Sequence, residues 1–242
     1  MEGVTRSSST PDRASGAAPG SSSGGRTGRP PVTSRAQILA AARAIIDEHG
    51  WEKLTIRRLA SELGVGPTTL YHHVRDKDDL LIQLLNDHAD ATVRTPLPEA
   101  PRDRIVQAAL VIHDSLSSWP WAAEILTTDG FLGRLGESSL EMVEAIVGAA
   151  VDHGCTTEQA VVVFRSIWYF TVGEILVRAH SDPRRPAEPE LLQGFLSTAN
   201  PERFPRLAEI GQDWPVISAR DTYPWALEAF VDGLLARARD ER

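Results

Sequence analysis

The chain has 242 residues, 42% hydrophobic and 24% charged, with a net charge of -8. That balance suits an ordinary soluble globular protein with one core or two modest ones, and it excludes fibrous and wholly disordered classes. Cys155 is the single cysteine, so an internal disulfide and a cysteine-based zinc site are excluded, no oxidising compartment is needed, and a cytoplasmic address is expected. The charge is polarised: residues 1–84 hold +2 and residues 85–242 hold -10. A small basic front, with Arg26, Arg29 and Arg35 in its leading arm, is joined to an acidic body.

Residues 1–33 are rich in Ser, Gly and Pro and poor in apolar side chains. They bury too little surface to offset the entropy of ordering, so a disordered arm is expected, without the apolar run of a signal peptide. The most apolar stretch, Val161 to Val172, is broken by Arg165, and no membrane segment is expected.

Order begins at Ser34, the expected cap of a helix whose Ile38, Leu39, Ala42, Ile45 and Ile46 recur at three- and four-residue spacing up to Gly50. Thr55 is placed to cap a second, shorter helix with Leu59, Ala60 and Leu63 inside and Gly64 as its stop. Gly64-Val65-Gly66 makes a tight turn, and Pro67 opens a third helix of about two turns, where its missing N–H is not needed. Leu70 and Val74 face inward there. Asp76 caps a longer helix, Lys77 to about Arg94, with Leu80, Leu81, Leu84 and Leu85 inside.

Helical periods continue at about 101–118, 119–127, 129–153, 156–180, 202–210 and 222–240, while residues 181–201, with four prolines, read as a long loop. No strand alternation and no internal repeat is present. The predicted fold is all-α: a three-helix N-terminal unit tied by a long helix to a larger helical body.

Two short helices joined by a glycine turn, the second exposing hydroxyls, an aromatic ring and imidazoles, match a helix-turn-helix. A recognition helix entering a major groove about 12 Å wide needs compact, hydrogen-bonding outer residues. Thr68 and Thr69 meet that need; Tyr71, His72 and His73 suit base-edge or phosphate contact, and Thr55, Arg57 and Lys77 suit phosphate.

The run LTIRRLASELGVGPTTLYHHVRDKDDLL, Leu54 to Leu81, resembles the DNA-binding domain of the TetR family of transcriptional regulators. Phe204-Pro205-Arg206-Leu207-Ala208 and the closing FVDGLLAR resemble the C-terminal domain of the family's tetracycline-repressor-type branch. After the disordered arm expected at 1–33, the resemblance implies a DNA-binding domain at 34–80 and an effector-binding and dimerisation domain at 81–242. It carries the family's DNA contacts onto Thr55, Arg57, Thr68, Thr69, Tyr71, His72, His73 and Lys77. Pro67 stands where the branch has a base-reading amide and His72 where it has an indole, so a different operator is implied.

The family's homodimer is implied as well, with Val163, Ile167, Leu227, Phe230 and Leu234 as interface candidates that serve equally as monomer core. An inducer cavity is implied among the C-terminal helices, with His113, Trp121, Phe131, Phe164 and Trp168 as candidate contacts suited to a bulky, flat or polycyclic ligand. Each ring also fits a plain core role.

No metal and no cofactor is expected. No P-loop, GxSxG or HExxH pattern is present and the seven histidines are scattered, so an enzyme is not expected. The expected function is a ligand-responsive repressor acting on a palindromic double-stranded operator and released by a small hydrophobic or polycyclic inducer. The alternative is a DNA-binding regulator whose C-terminal domain only dimerises or docks a protein partner. An enclosed cavity separates the two.

Overall fold

The computed structural model describes residues 33–92, 96–127, 130–180 and 200–240. The arm apart from Thr33, and the proline-rich loop up to residue 199, lie outside the described residues.

Helix α1, Arg35–His49, opens on a reciprocal cap: Ser34 Oγ accepts from the Gln37 N–H at 3.2 Å and Gln37 Oε1 accepts from the Ser34 N–H at 2.9 Å. Gly50, at φ 86°, ends it in a conformation that side chains resist. A short 3-10 turn, Trp51–Lys53, follows. Thr55 caps α2, Ile56–Glu62, by accepting from the Arg58 N–H at 3.1 Å. Gly64 turns the chain at φ 66° into α3, Pro67–Tyr71. Asp76 Oδ1 accepts from the Asp79 N–H at 2.7 Å at the start of α4, Lys77–Thr92.

The body comprises α5 (Pro101–Ser117), α6 (Pro120–Ile125), α7 (Glu137–Asp152), α8 (Thr157–His180), α9 (Pro205–Ile210), α10 (Trp214–Ser218) and α11 (Tyr223–Asp240). No strand occurs among the described residues. The single helix expected at 129–153 is instead a 3-10 turn, Phe131–Arg134, and then α7. Gly130, Gly133 and Gly136 weaken helix there by roughly 1 kcal/mol each, and the Gly136 N–H is committed to Asn86 Oδ1 at 2.8 Å.

Two apolar clusters fill the molecule. The first joins Ile38, Leu59, Leu70 and Leu81 of the front to Trp119 and Trp121 around α6 and to Trp168 and Ile175 of α8. The second packs α5, α7, α8 and α11 around Ile105, Ile146, Ile167 and Leu227. Because α8 enters both, front and body share a core, and Thr33–Arg242 form one compact unit. The boundary expected at 80/81 falls inside α4.

Helix α8 is the longest helix among the described residues. With 24 residues and a mean hydropathy of 1.6 over its most apolar window, it is long and apolar enough to cross a bilayer by length and composition. Its neighbours α5, α6, α7 and α11 explain that composition: a helix packed on several sides needs apolar residues around most of its circumference.

Candidate DNA-reading surface and effector cavity

Helix α3 buries Leu70 completely and leaves Thr68, Tyr71 and His72 exposed, Tyr71 at 57%. Thr69 and His73 are half-buried beside them, and Val74 closes the turn inward. Thr55 and Arg57 are exposed at the start of α2, so the first turn of α2 and the outer side of α3 both offer polar groups to solvent. Thr55 spends its hydroxyl lone pair on capping, which leaves its O–H to donate. Lys77 is half-buried, 4.8 Å over the Trp51 ring and 3.4 Å from the Glu52 carbonyl, so its ammonium is held against the Trp51–Lys53 turn rather than swinging freely. Arg35, expected as an arm residue, is a helical residue of α1 whose Nε donates to Gln83 Oε1 at 2.9 Å.

Two side chains of α4 that the sequence reading passed over join this surface to the body. Gln83 Nε2 donates to the His73 carbonyl, 3.2 Å away, tying α4 to the end of the α3 segment. Three residues on, Asn86 accepts from the Gly136 N–H and donates from Nδ2 to the Arg134 carbonyl at 3.3 Å. A Cβ at Gly136 would lie 3.1 Å from the Asn86 side chain, a tight contact that would push Asn86 back by a few tenths of an ångström. An asparagine inside a helix, where it is a poor former, was the available signal.

The same helix walls a cavity. Leu85 and Ala89 of α4, Ile112, Ser115 and Leu116 of α5, Met142 and Val143 of α7, and Phe164 and Trp168 of α8 line a partly open hollow of about 50 Å³, bordered by Leu126, Phe131 and Leu135. Beside it a groove of about 610 Å³ runs between α7, α8 and the residues Leu126, Thr127 and Gly130 to Leu132, lined by Val147, Arg165, Tyr169 and Gly173 among others. Phe131, Phe164 and Trp168, three of the expected ligand contacts, line both.

The other two expected contacts line neither. Trp121 is 8% exposed and stacks on Trp119 in the first core cluster, its indole N–H buried without a hydrogen-bond partner. His113 looks toward α11: it stacks on Tyr223 at 3.9 Å, its Nε2 lies 2.9 Å from Glu174 Oε2 and 3.2 Å from Ser117 Oγ, and its Nδ1 lies 3.1 Å from Asp114. It pins α5 to α8. Helical period alone does not separate a cavity wall from core, so the sequence places both with the pocket.

At the joint of front and body, His88 stacks on Trp119 at 4.3 Å, and Arg43 lies 4.8 Å over the same indole. Burial, with the Arg43 charge adding to it, lowers the His88 imidazole pKa against the opposing bond to the Ser115 carbonyl.

Of the interface candidates, Val163, Ile167 and Leu227 are 2%, 2% and 0% exposed, which makes them core of the single chain. Phe230 and Leu234 are half-buried. The exposed faces instead present Val162, Tyr169, Gly173 and Val177 on α8, and Trp225, Ala229, Gly233 and Ala236 on α11.

Comparison with known proteins accounts for this layout. The family described as bacterial regulatory proteins, tetR family, matches residues 38–84, and the tetracyclin repressor-like C-terminal domain matches residues 95–238. The class E tetracycline repressor of Escherichia coli is 31% identical over 147 residues, 57% of this chain and 65% of that one. The chain spans about half to two thirds of the length of the curated relatives it matches first. Among solved structures, Streptomyces coelicolor ActR in complex with (S)-DNPA has 25% identity and a TM-score of 0.64, covering 83% of this chain and 96% of that one. BioQ with its double-stranded DNA operator has 26% identity and a TM-score of 0.57, covering 83% and 97%. Helix-turn-helix, linking helix and helical body thus coincide with both domain matches, and the chain belongs to the TetR family of transcriptional regulators, which bind DNA and are not enzymes.

Proposed function

We propose that the chain is a ligand-responsive repressor that binds a palindromic operator as a homodimer and is released by a small hydrophobic or polycyclic inducer. The observation that carries this reading is the double duty of α4: Lys77 and Gln83 hold it to the reading head, while Leu85 and Ala89 wall the cavity and Asn86 grips the segment that borders it. Lys77 and Ala89 are about 18 Å apart along the helix at 1.5 Å per residue, so a displacement at the cavity end moves the DNA end.

In this reading Thr68, Tyr71 and His72 enter the groove, Thr69 and His73 flank them, and Thr55, Arg57 and Lys77 hold phosphate. Two such heads reach half-sites about 34 Å apart. The homodimer seam runs along the exposed face of α11, whose small residues Ala229 and Gly233 let helices approach closely, with Phe230 and Leu234 at its edge. Operator binding by BioQ and ligand binding by ActR support the two halves of the proposal. The apolar hollow bordered by Phe131, Phe164 and Trp168, continuous in lining with an adjoining groove, supports an effector reading over a body that only dimerises or docks a protein. The protein then works in the cytoplasm, beside its operator.

Ligand moves the equilibrium only through differential affinity: a shift from 1:99 to 99:1 needs roughly 5.5 kcal/mol between the two states. The test is linkage. Inducer affinity measured by calorimetry falls when saturating operator is present; equal affinity with and without operator refutes the mechanism.

A further inference from the structure

Of the 25 lysines and arginines in the chain, only two are lysines, Lys53 and Lys77. The fold brings both to one place, the Trp51–Lys53 turn ahead of α2. Lys77 belongs to the start of α4, yet its ammonium lies 3.4 Å from the Glu52 carbonyl, and that carbonyl group is bonded to the Lys53 backbone nitrogen. Two compact point charges thus share one small patch, just before the exposed Thr55 and Arg57. Lys53 itself stands one position outside the run Leu54 to Leu81 that carries the family's contacts.

The two lysines are held differently. The Lys77 ammonium sits 4.8 Å over the Trp51 ring. Trp51 is half-buried against the first core cluster, so the indole is a fixed platform, and the cation over it is oriented before any partner arrives. Lys53 is exposed: its N–H donates to the Gly50 carbonyl at 3.2 Å, while its side chain has no partner among the described residues. The carboxylates nearest in sequence face other groups. Asp76 accepts from the Asp79 N–H and Asp79 from Arg75. Glu52 folds back toward Gly50, its Oε2 3.0 Å from where a Cβ there would stand. Gathering two like charges at one turn costs free energy in the free protein, which an anion bound there recovers.

Resting on the reading that α2 and α3 face DNA, we propose that the Trp51–Lys53 turn is a clamp for an operator phosphate: Lys53 is a further DNA-contact residue, and Trp51 is a positioning residue that acts through Lys77. Phosphate contacts fix affinity and register but carry no sequence information directly, so preference is left to Thr68, Tyr71 and His72. A lysine that neutralises a phosphate releases condensed counterions, and its share of the affinity is therefore read in the salt dependence.

Anisotropy of two labelled duplexes, one enriched from a random pool by the wild-type protein and one of random sequence, tests the clamp with the full-length protein across a salt series. Lys53→Ala lowers the slope of log affinity against log salt by about 0.9 for each subunit, hence about 1.8 for a dimer, and weakens binding roughly 30-fold at about 0.15 M salt on both duplexes alike. An unchanged slope, or a loss confined to the enriched duplex, overturns the role of Lys53. Trp51→Leu, checked for folding by its thermal melt, weakens binding about 2- to 5-fold for each subunit and has no further effect once Lys77→Ala is present, whereas Trp51→Phe keeps most of the affinity by keeping a ring under the ammonium. Equal losses with and without Lys77 make Trp51 a packing residue and overturn its role. Failure of the underlying reading looks different: the Tyr71→Ala, His72→Ala double variant then binds the enriched duplex as tightly as the wild type.

Discussion

Tyr223 and Thr171 make a buried pair whose two halves are predicted to be unequal. Both side chains are almost wholly enclosed, at 1% and 2% exposure, and their oxygens are 2.7 Å apart. Thr171 has one hydroxyl proton and donates it to the Ile167 carbonyl at 2.8 Å; the Tyr223 O–H must therefore donate to Thr171. Tyr223→Phe removes one neutral hydrogen bond and leaves no donor stranded, so it costs about 0.5–1.5 kcal/mol. Thr171→Val leaves the Tyr223 O–H buried without an acceptor and costs about 1–3 kcal/mol. The double variant, with both partners apolar, is more stable than Thr171→Val alone. Urea unfolding at one fixed protein concentration measures all three. Strict additivity, or a Tyr223→Phe variant less stable than Thr171→Val, refutes the donor assignment. The pair also sets an alkaline limit. Burial pushes the Tyr223 phenol pKa up from its ordinary 10.0. A raised acid contributes stability that is full below the unfolded value and is lost as pH rises from there through the folded value. Above about pH 10, wild-type stability falls more steeply than that of Tyr223→Phe.

His88 sets the mirror limit in acid: its pKa is lowered from 6.5, chiefly by burial, so its contribution is present above the unfolded value and is lost as pH falls from there through the folded value. His88→Phe, which keeps the stack on Trp119, flattens the stability profile between about pH 7 and 5; an unchanged slope contradicts the assignment. Asn86→Ala retains operator binding but loses most of the response to inducer, read by anisotropy of labelled operator; a full response means the 134–136 segment does not transmit. Gly233→Leu meets open space within the single chain and improves helix propensity by up to about 1 kcal/mol, so its helical circular dichroism stays while sedimentation shifts from dimer to monomer. A dimer unaffected by Gly233→Leu and by Trp225→Asp moves the seam off α11.

The front of the molecule was legible in the sequence because each of its signals is local. Ser34, Gly50, Thr55, Gly64, Pro67 and Asp76 cap, stop or turn the chain by their own backbone chemistry, and each does so where expected. The body was less legible, because what decides it is not local. Gly130 and Gly136 break the helix expected across 129–153, and one of them does so through Asn86, fifty residues away. Val163, Ile167 and Leu227 have the same apolar character as seam residues, and only the packing of α8 against α5, α7 and α11 assigns them to the interior. Of the five rings grouped for the ligand, Phe131, Phe164 and Trp168 meet at the cavity, while Trp121 and His113 turn to other neighbours. The α4 residues at the cavity wall, Leu85 and Ala89, sat in a stripe that period alone describes as core.

The central claim is that the exposed side of α3 reads DNA, and selection of bound duplexes from a random pool tests it most directly. The account predicts an enriched palindrome with half-sites about one helical turn apart, bound by the wild-type protein and lost in the Tyr71→Ala, His72→Ala double variant, whose melting temperature stays near wild type because both side chains are exposed. No enriched sequence, or a site bound equally by the double variant, contradicts it.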